Sequence, residues 1–508
     1  MAKSQLRSGI YLSYLNLAIS CLIPFLYTPV MLDLLGQAEY GLYSLAHSVV
    51  GYLSLLSFGF GSTIVRYLAK YRAENNKTAL ENTYGFFLLL YGFLAAAVLA
   101  GGIVICNHVD TIFEQGLSQE EVSKMRTLVL IMAFNTALSF PISVFASVAI
   151  AHERYFFRKI MDMLSTVLAP VANLIALFLG YTSVGMTLAG TATQLVLAPV
   201  SIIYCFRVIK VRPRFAAMPR GMIAEMIGFS AFVFIGSIVD MLFWATDKVI
   251  LGMLSSSVAV AVYNVGGTFN NMVMSLSTSI SSVLVPKITG MVVTKSDKQE
   301  WTSIFIKAGR IQFLIIALIV SGFSVFGQAF IDLWAGPAYA DAFWVAVLTM
   351  FPLSIPLIQN TGLSIVVAQN KHQFRSIVYL IIAIVNVIST YMIVPILGIT
   401  GAALCSCLSY LLGQGLIMNL YYYKVTGLDI PLFWKNILTM AVIPLLMLLA
   451  GLLLKQMIVI DTWTGFLAAV AVFTLVYAVL MYRFAMNDYE KDIIRKPLKR
   501  IFKTLYRN

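Results

Sequence analysis

Three observations predict an all-α, polytopic membrane protein. The chain has 508 residues, 60% hydrophobic and only 11% charged, with a mean hydropathy of +0.88. A soluble globular domain carries roughly 25% charged residues. Apolar runs of about twenty residues, enough to cross a bilayer at 1.5 Å per residue, recur along the whole length. Basic residues then fall in alternate connections between those runs, as membrane orientation requires.

Taken in order, fourteen runs are expected, at about 10–32, 40–65, 84–106, 127–151, 160–180, 184–206, 225–253, 258–286, 304–330, 342–365, 377–396, 399–423, 437–459 and 463–483. The fifth and sixth are parted only by Gly180 to Gly185, the eleventh and twelfth only by Gly398 to Gly401. With the N-terminus inside, the inward-facing segments hold 31 of the 35 lysines and arginines. Lys124, Arg126, Lys248 and Lys455 are the remainder. The outward segments carry acids instead, among them Asp33, Glu39, Asp110, Glu120, Asp332 and Asp461. A wrong span number would scramble this alternation. Both termini are therefore expected in the cytoplasm, and the net charge of +13 reads as orientation in the cytoplasmic membrane, with no call for nucleic acid.

Lys3 and Arg7 precede the first run, and no small-residue cleavage site follows it, so an uncleaved first span is expected. The five cysteines, Cys21, Cys106, Cys205, Cys405 and Cys407, show no metal-ligand spacing and read as small buried apolar groups. His47, His108, His152 and His372 form no metal set. No Gly-Lys-Ser/Thr phosphate loop occurs, which argues against ATP hydrolysis. The tail beyond Arg483 is basic. Ile494, Leu498, Phe502 and Leu505 share a helical face, which fits either a helix lying on anionic lipid or a purely topogenic segment.

The chain repeats itself at a shift of roughly 216–221 residues. Leu35-Gly36 and Leu42-Tyr43-Ser44-Leu45 are echoed by Leu251-Gly252 and Val262-Tyr263-Asn264-Val265. Ala151-His152-Glu153-Arg154-Tyr155-Phe156-Phe157-Arg158 is echoed by Ala368-Gln369-Asn370-Lys371-His372-Gln373-Phe374-Arg375. Six spans is an even number, so the copies point the same way and form parallel repeats. The predicted organisation is a six-helix lobe over 1–206, a basic cytoplasmic linker over 207–224 and a second six-helix lobe over 225–423. Two extra membrane helices over 424–483 and a cytoplasmic tail over 484–508 complete it.

Leu35-Gly36 through Glu39-Tyr40-Gly41-Leu42-Tyr43, Gly59-Phe60-Gly61 with Val65-Arg66-Tyr67, and Thr246-Asp247-Lys248-Val249-Ile250-Leu251-Gly252 carry a resemblance that covers essentially the whole chain. It resembles the multidrug/oligosaccharidyl-lipid/polysaccharide exporter superfamily and, within it, the Wzx-type polysaccharide and O-antigen flippases. The resemblance implies a non-enzymatic flippase for a polyprenyl-pyrophosphate-linked oligosaccharide. It also implies alternating access of two lobes, no cofactor, and coupling to an H+ or Na+ gradient. The implied partners are that lipid-linked oligosaccharide, membrane lipids and polysaccharide polymerase or assembly proteins. Three alternatives stand beside it: a cation-coupled small-molecule exporter, a peptidoglycan-precursor (lipid II) flippase, and a membrane glycosyltransferase or polymerase. The outer loops are short for the last of these.

Charges at membrane depth cost about 2.5–3.5 kcal/mol each on insertion scales, so they mark candidate sites. The seventh run contains Asp240, Trp244, Asp247 and Lys248. Asp240, Trp244 and Asp247 are spaced to share one helical face. Asp240 lies about 22 Å along the helix from Glu225, near mid-membrane. It is expected to line a water-filled cavity and bind a proton or cation, or to pair with a basic group. Asp247-Lys248 lies near the outer end, where snorkelling to the interface also accounts for it. Lys307 and Arg310 are expected either as a cationic patch for a pyrophosphate or acidic sugar, or as snorkelling residues at a late helix start. Arg66 ends the second run as an orientation signal or a cavity cation. Asn173, Gln194, Asn270, Asn271, Gln312, Gln359 and Asn360 are expected to bond between helices.

Overall fold

A computed structural model describes residues 2–216, 220–282, 288, 290–291, 298–369, 372–455, 460–493 and 495. The expected face of Ile494, Leu498, Phe502 and Leu505 lies outside these. Among the described residues the chain is helical and has no strand. In order it forms α1 (Ala2–Gly51), a short 3-10 turn (Tyr52–Ser57), α2 (Phe60–Ala73), α3 (Lys77–Ile112), α4 (Gln119–Ala151), α5 (Tyr155–Phe178) and α6 (Ser183–Tyr204). Then come α7 (Arg220–Trp244), α8 (Thr246–Leu254), α9 (Ser257–Ser282), α10 (Lys298–Trp334), α11 (Ala342–Ile358), α12 (Asn360–Ala368) and α13 (His372–Tyr410). Wider helical turns carry α13 on to Thr426, and α14 (Ile430–Lys455) and α15 (Trp463–Leu480) follow.

Among the described residues ten helices are long and apolar enough to cross a membrane, or eleven if the bent pair α11 and α12 is one span. The sequence count of fourteen is higher for three physical reasons. The first and second runs count together as the stretch Ala18–Ala73, in which two helices meet at a kink at Gly36 with φ 73°. The eleventh and twelfth likewise form Phe374–Thr426, interrupted at Gly398 with φ 56°. Only glycine adopts such a left-handed angle at little cost, so the chain can turn there without a loop. The eighth run is α9, whose many Ser, Thr and Asn residues keep it below the apolarity of the others.

Local sequence sets the helix starts. Ser118 and Glu121 form a capping box, with Glu121 N–H donating to Ser118 Oγ (3.3 Å) and Ser118 N–H to Glu121 Oε2 (2.9 Å). Asn76 caps α3 by accepting from the Ala79 N–H at 3.0 Å. Inside lipid the hydrophobic effect does not drive helices together, so van der Waals fit must.

Two compact units result, one of Met1–Asn264 with Val387–Ala402, the other of Val265–Asn386 with Ala403–Asn508. These units follow packing, whereas the sequence repeat follows similarity. Thus α7 and α8, which open the second repeat, pack within the first unit. The first unit has an aromatic core in which Tyr67, Tyr84, Phe87 and Tyr91 pack against Ile64, Leu68 and Val144. Within it, α1 and α9 meet so closely that a Cβ at Gly41 would sit 1.8 Å from the Ser257 carbonyl oxygen. In the second unit, Met440, Tyr477 and Met481 fix α14 and α15 to Phe313, Leu314 and Leu318 of α10. Three of the polar residues expected to bond between helices do so in this unit. Asn270 Nδ2 donates to Thr349 Oγ1 (2.7 Å), Gln312 Nε2 to Ser281 Oγ (2.5 Å) and Gln359 Nε2 to Asn419 Oδ1 (2.7 Å).

Candidate substrate cavity and buried polar network

The site begins with α7. Its first half is held to α2 by a buried hydroxyl pair, Thr63 and Ser230, at 2.6 Å. Its second half ends at Ala245, where the helix breaks before α8. Asp240 and Trp244, one turn apart, line a cavity of about 570 Å³ within the first unit. Tyr91 of α3 and Ser139 and Ser143 of α4 face the same space. Asp240 is exposed and borders this space. Among the described lining residues it supplies the only formal charge. The wall therefore combines one acid, two amphipathic aromatics and several hydroxyls.

Asp247 does not join this wall, contrary to the shared face its spacing predicts. The break at Ala245 separates it from Asp240 and Trp244, and its side chain is buried to 1% exposure. Tyr263 of α9 donates its hydroxyl to Asp247 Oδ2 at 2.5 Å, and Thr390 Oγ1 approaches Oδ1 at 3.4 Å. Lys248 does not snorkel outward either. It is half-buried, with Nζ donating to Asn264 Oδ1 (3.2 Å), and Asn264 Nδ2 in turn donating to the Tyr40 hydroxyl (2.6 Å). Tyr52 and Thr246 share a hydrogen bond beside them. These bonds join α1, α8, α9 and the 387–402 segment into one polar network. Buried charges persist when hydrogen-bonded in this way.

Arg310 departs furthest from expectation. It is 6% exposed and its guanidinium is fully engaged by protein acceptors. Nε and Nη2 donate to the two oxygens of Glu490 (2.5 and 3.0 Å), and Nη2 also donates to the Ala485 carbonyl (2.9 Å). Glu490, 3% exposed, belongs to a capping turn and accepts from the Asn487 N–H at 3.0 Å. Arg310 is thus a clamp for the segment after α15, rather than a free cation. Lys307, three residues earlier, remains exposed, with Nζ 5.4 Å from the centre of the Tyr489 ring. The expected cationic pair is thereby reduced to one residue. Arg66 lies on an exposed face of α2.

Sequence reasoning missed Tyr263, Thr390, Tyr91, the α4 serines and Glu490. A period of three to four in the α4 hydroxyls was the one available signal. The others depend on contacts between residues far apart in the chain.

The family described as polysaccharide biosynthesis protein matches residues 6–292, more than half of the chain. The chain belongs to that family. This polysaccharide biosynthesis family member is 21% identical over 482 residues to the membrane protein EpsK of Bacillus subtilis strain 168, covering 93% of this chain and 94% of that one. It is also 21% identical over 513 residues to a membrane protein of Methanocaldococcus jannaschii, covering 98% and 99%. Among solved structures it resembles the lipid II flippase MurJ in an inward closed conformation. There the TM-score is 0.72 at 15% identity, over 94% of this chain and 98% of that one. An inward-facing multidrug resistance MATE transporter of the MOP superfamily matches with a TM-score of 0.59 at 16% identity, over 81% and 98%. At such identities the likeness is one of fold. The solved structures it resembles are those of a flippase and a transporter, and the ten or eleven apolar spans among the described residues make this family member a multi-pass membrane protein.

Proposed function

We propose that this protein flips a polyprenyl-pyrophosphate-linked oligosaccharide across the cytoplasmic membrane. The observation that carries the reading is the cavity of about 570 Å³ bordered by Asp240, Trp244, Tyr91, Ser139 and Ser143. Aromatic faces and hydroxyls are what a sugar head needs, since rings stack through their C–H faces and hydroxyls exchange hydrogen bonds. The lipid tail stays in the bilayer while the head crosses. The two repeats, 1–206 and 225–423, rock about the site and the 207–224 linker joins them on the cytoplasmic side, where both termini also lie. Helices 424–483 and the 484–508 tail attach to the second repeat.

Asp240 is the coupling residue. A carboxylate in water at membrane depth exchanges H+ or Na+ readily, and its charge state alters the cost of closing the cavity around it. Lys307 and Arg66 stand at the cytoplasmic side, where they attract the pyrophosphate. Polysaccharide polymerase and assembly proteins supply and consume the cargo.

A second reading, cation-coupled export of small organic molecules, gains support from the cavity wall, where the formal charge among the described lining residues is the Asp240 carboxylate, which suits a cation. Transport assays in proteoliposomes decide between the two. The flippase reading requires movement of lipid-linked oligosaccharide, slowed in Asp240→Asn at unchanged insertion and fold. Export of organic cations with no flipping would replace it by the second reading. Parent-like flipping in Asp240→Asn would remove the coupling role.

A further inference from the structure

A second pocket, of about 440 Å³, lies in the first unit between α4, α5 and α6. It shares Ser139 and Ser143 with the cavity that Asp240 lines, so the two spaces meet at one stretch of α4. Its walls are built from matching stripes. On α5, Arg158, Asp162, Ser165 and Ala169 recur at intervals of four, three and four, and on α6 Gly190, Gln194, Leu197 and Ser201 do the same. These intervals place each set on one helical face, over about 16 Å of helix. Polar groups facing lipid would go unsatisfied at several kcal/mol each, so stripes of this kind belong against water or a polar ligand.

The chemistry of the wall selects the ligand. Ser139, Ser143 and Thr193 spend their hydroxyl protons on their own helices, donating to the carbonyls of Thr136 (2.7 Å), Phe140 (2.6 Å) and Ala189 (3.0 Å). Their oxygens are then left as acceptors. Arg158 pairs with Asp162, Nη2 to Oδ1, at 2.7 Å. The pair carries no net charge, yet a guanidinium has five N–H donors and one carboxylate oxygen uses few of them. The pocket therefore presents many acceptors, a few donors and no net charge. Phosphate offers acceptors only and is matched by cationic donors, so this wall disfavours it. A polyhydroxylated ring both donates and accepts at every hydroxyl, and this wall suits it.

We propose that this pocket is a second carbohydrate subsite, which holds a further sugar of the cargo once the first occupies the Asp240 cavity. It would select substrates by the length of their glycan. The proposal rests on the flippase reading for its cargo, and the test separates the two.

Gly190 offers a clean perturbation, because a Cβ added there meets no atom within 4 Å. Gly190→Leu directs a bulky side chain into the pocket from an open position, and leucine is the better helix former. In proteoliposomes, flipping is measured for undecaprenyl pyrophosphate carrying one N-acetylglucosamine and for the same lipid carrying a trisaccharide. Gly190→Leu should slow the trisaccharide about tenfold, the loss of one or two sugar hydrogen bonds, and leave the single sugar at its parent rate. Equal losses for both lipids, or for neither, would overturn the subsite.

A binding readout stands independently of transport. Ser165→Cys is labelled with a membrane-impermeant thiol reagent, with the parent protein as background. Protection by the free trisaccharide but not by inorganic pyrophosphate supports the subsite. Protection by both equally, or by neither, refutes it. If the parent flips neither lipid but protection by the trisaccharide remains, the flippase reading falls and the carbohydrate pocket stands.

Discussion

Removing Glu490 should unseat the end of the chain from α10. In the structure Arg310 and Glu490 are 6% and 3% exposed and joined by two hydrogen bonds of 2.5 and 3.0 Å. Glu490→Ala leaves a buried guanidinium with the Ala485 carbonyl as its good acceptor, at 2.9 Å. Breaking a buried pair from one side costs about 3–5 kcal/mol, because the remaining charge stays desolvated and unpaired. The same change removes the acceptor for the Asn487 N–H, a capping loss of about 1 kcal/mol. Replacing both partners together, as Arg310→Met with Glu490→Met, should recover most of this, since apolar substitutes of similar volume are often neutral or better. Equilibrium unfolding of the purified protein in mixed micelles measures the double variant and two single variants, Glu490→Ala and Arg310→Met, against the parent. The clamp would be refuted by a Glu490→Ala variant within about 1 kcal/mol of the parent, or by a double variant less stable than either single one. Transport gives a second readout. A refolded double variant should still flip, because Arg310 serves the fold rather than the cargo.

Three further outcomes are expected. Tyr263→Phe removes the bond to buried Asp247 and should destabilise the first unit by about 1.5–3 kcal/mol in the same unfolding assay, the range for bonds to a charged acceptor. Gly41→Ala places a Cβ where the Ser257 carbonyl already sits, so α1 and α9 must part; a loss of about 1–3 kcal/mol is expected, and a parent-like melting temperature would count against the close approach. Burial holds the His152 imidazole below its usual value of 6.5, and the charges of Arg72 and Arg154 add to this against a hydrogen bond to the Val148 carbonyl. The unfolded chain therefore binds the proton more readily. Stability from this group is complete above the unfolded value and is lost as pH falls through the lowered folded one. His152→Gln should flatten stability against pH in that acid window, and an unchanged profile would exclude the histidine.

The hydropathy and charge alternation of the chain made its class legible without coordinates. A bilayer demands about twenty apolar residues per crossing and basic loops on one side, and both demands act locally on sequence. Asp240 was legible for the same reason, because a charge in an apolar run is conspicuous wherever it packs. Helix breaks were only half visible. Glycine at 36 and 398 marks freedom to turn, but whether the chain turns in a loop or at a sharp kink between two helices depends on the neighbours it must reach.

What the tertiary structure alone decided concerns partners. Arg310 and Glu490 are 180 positions apart, and nothing near either announces the other. Asp247 leaves the face of Asp240 through a single break at Ala245, and its acceptor oxygens then meet Tyr263 and Thr390. The α5 and α6 stripes become a pocket only when the two helices turn them toward α4. Periodicity along a helix says which side chains share a face. Only packing says what that face meets, because the energy of a buried charge or hydroxyl is set by the partner it finds.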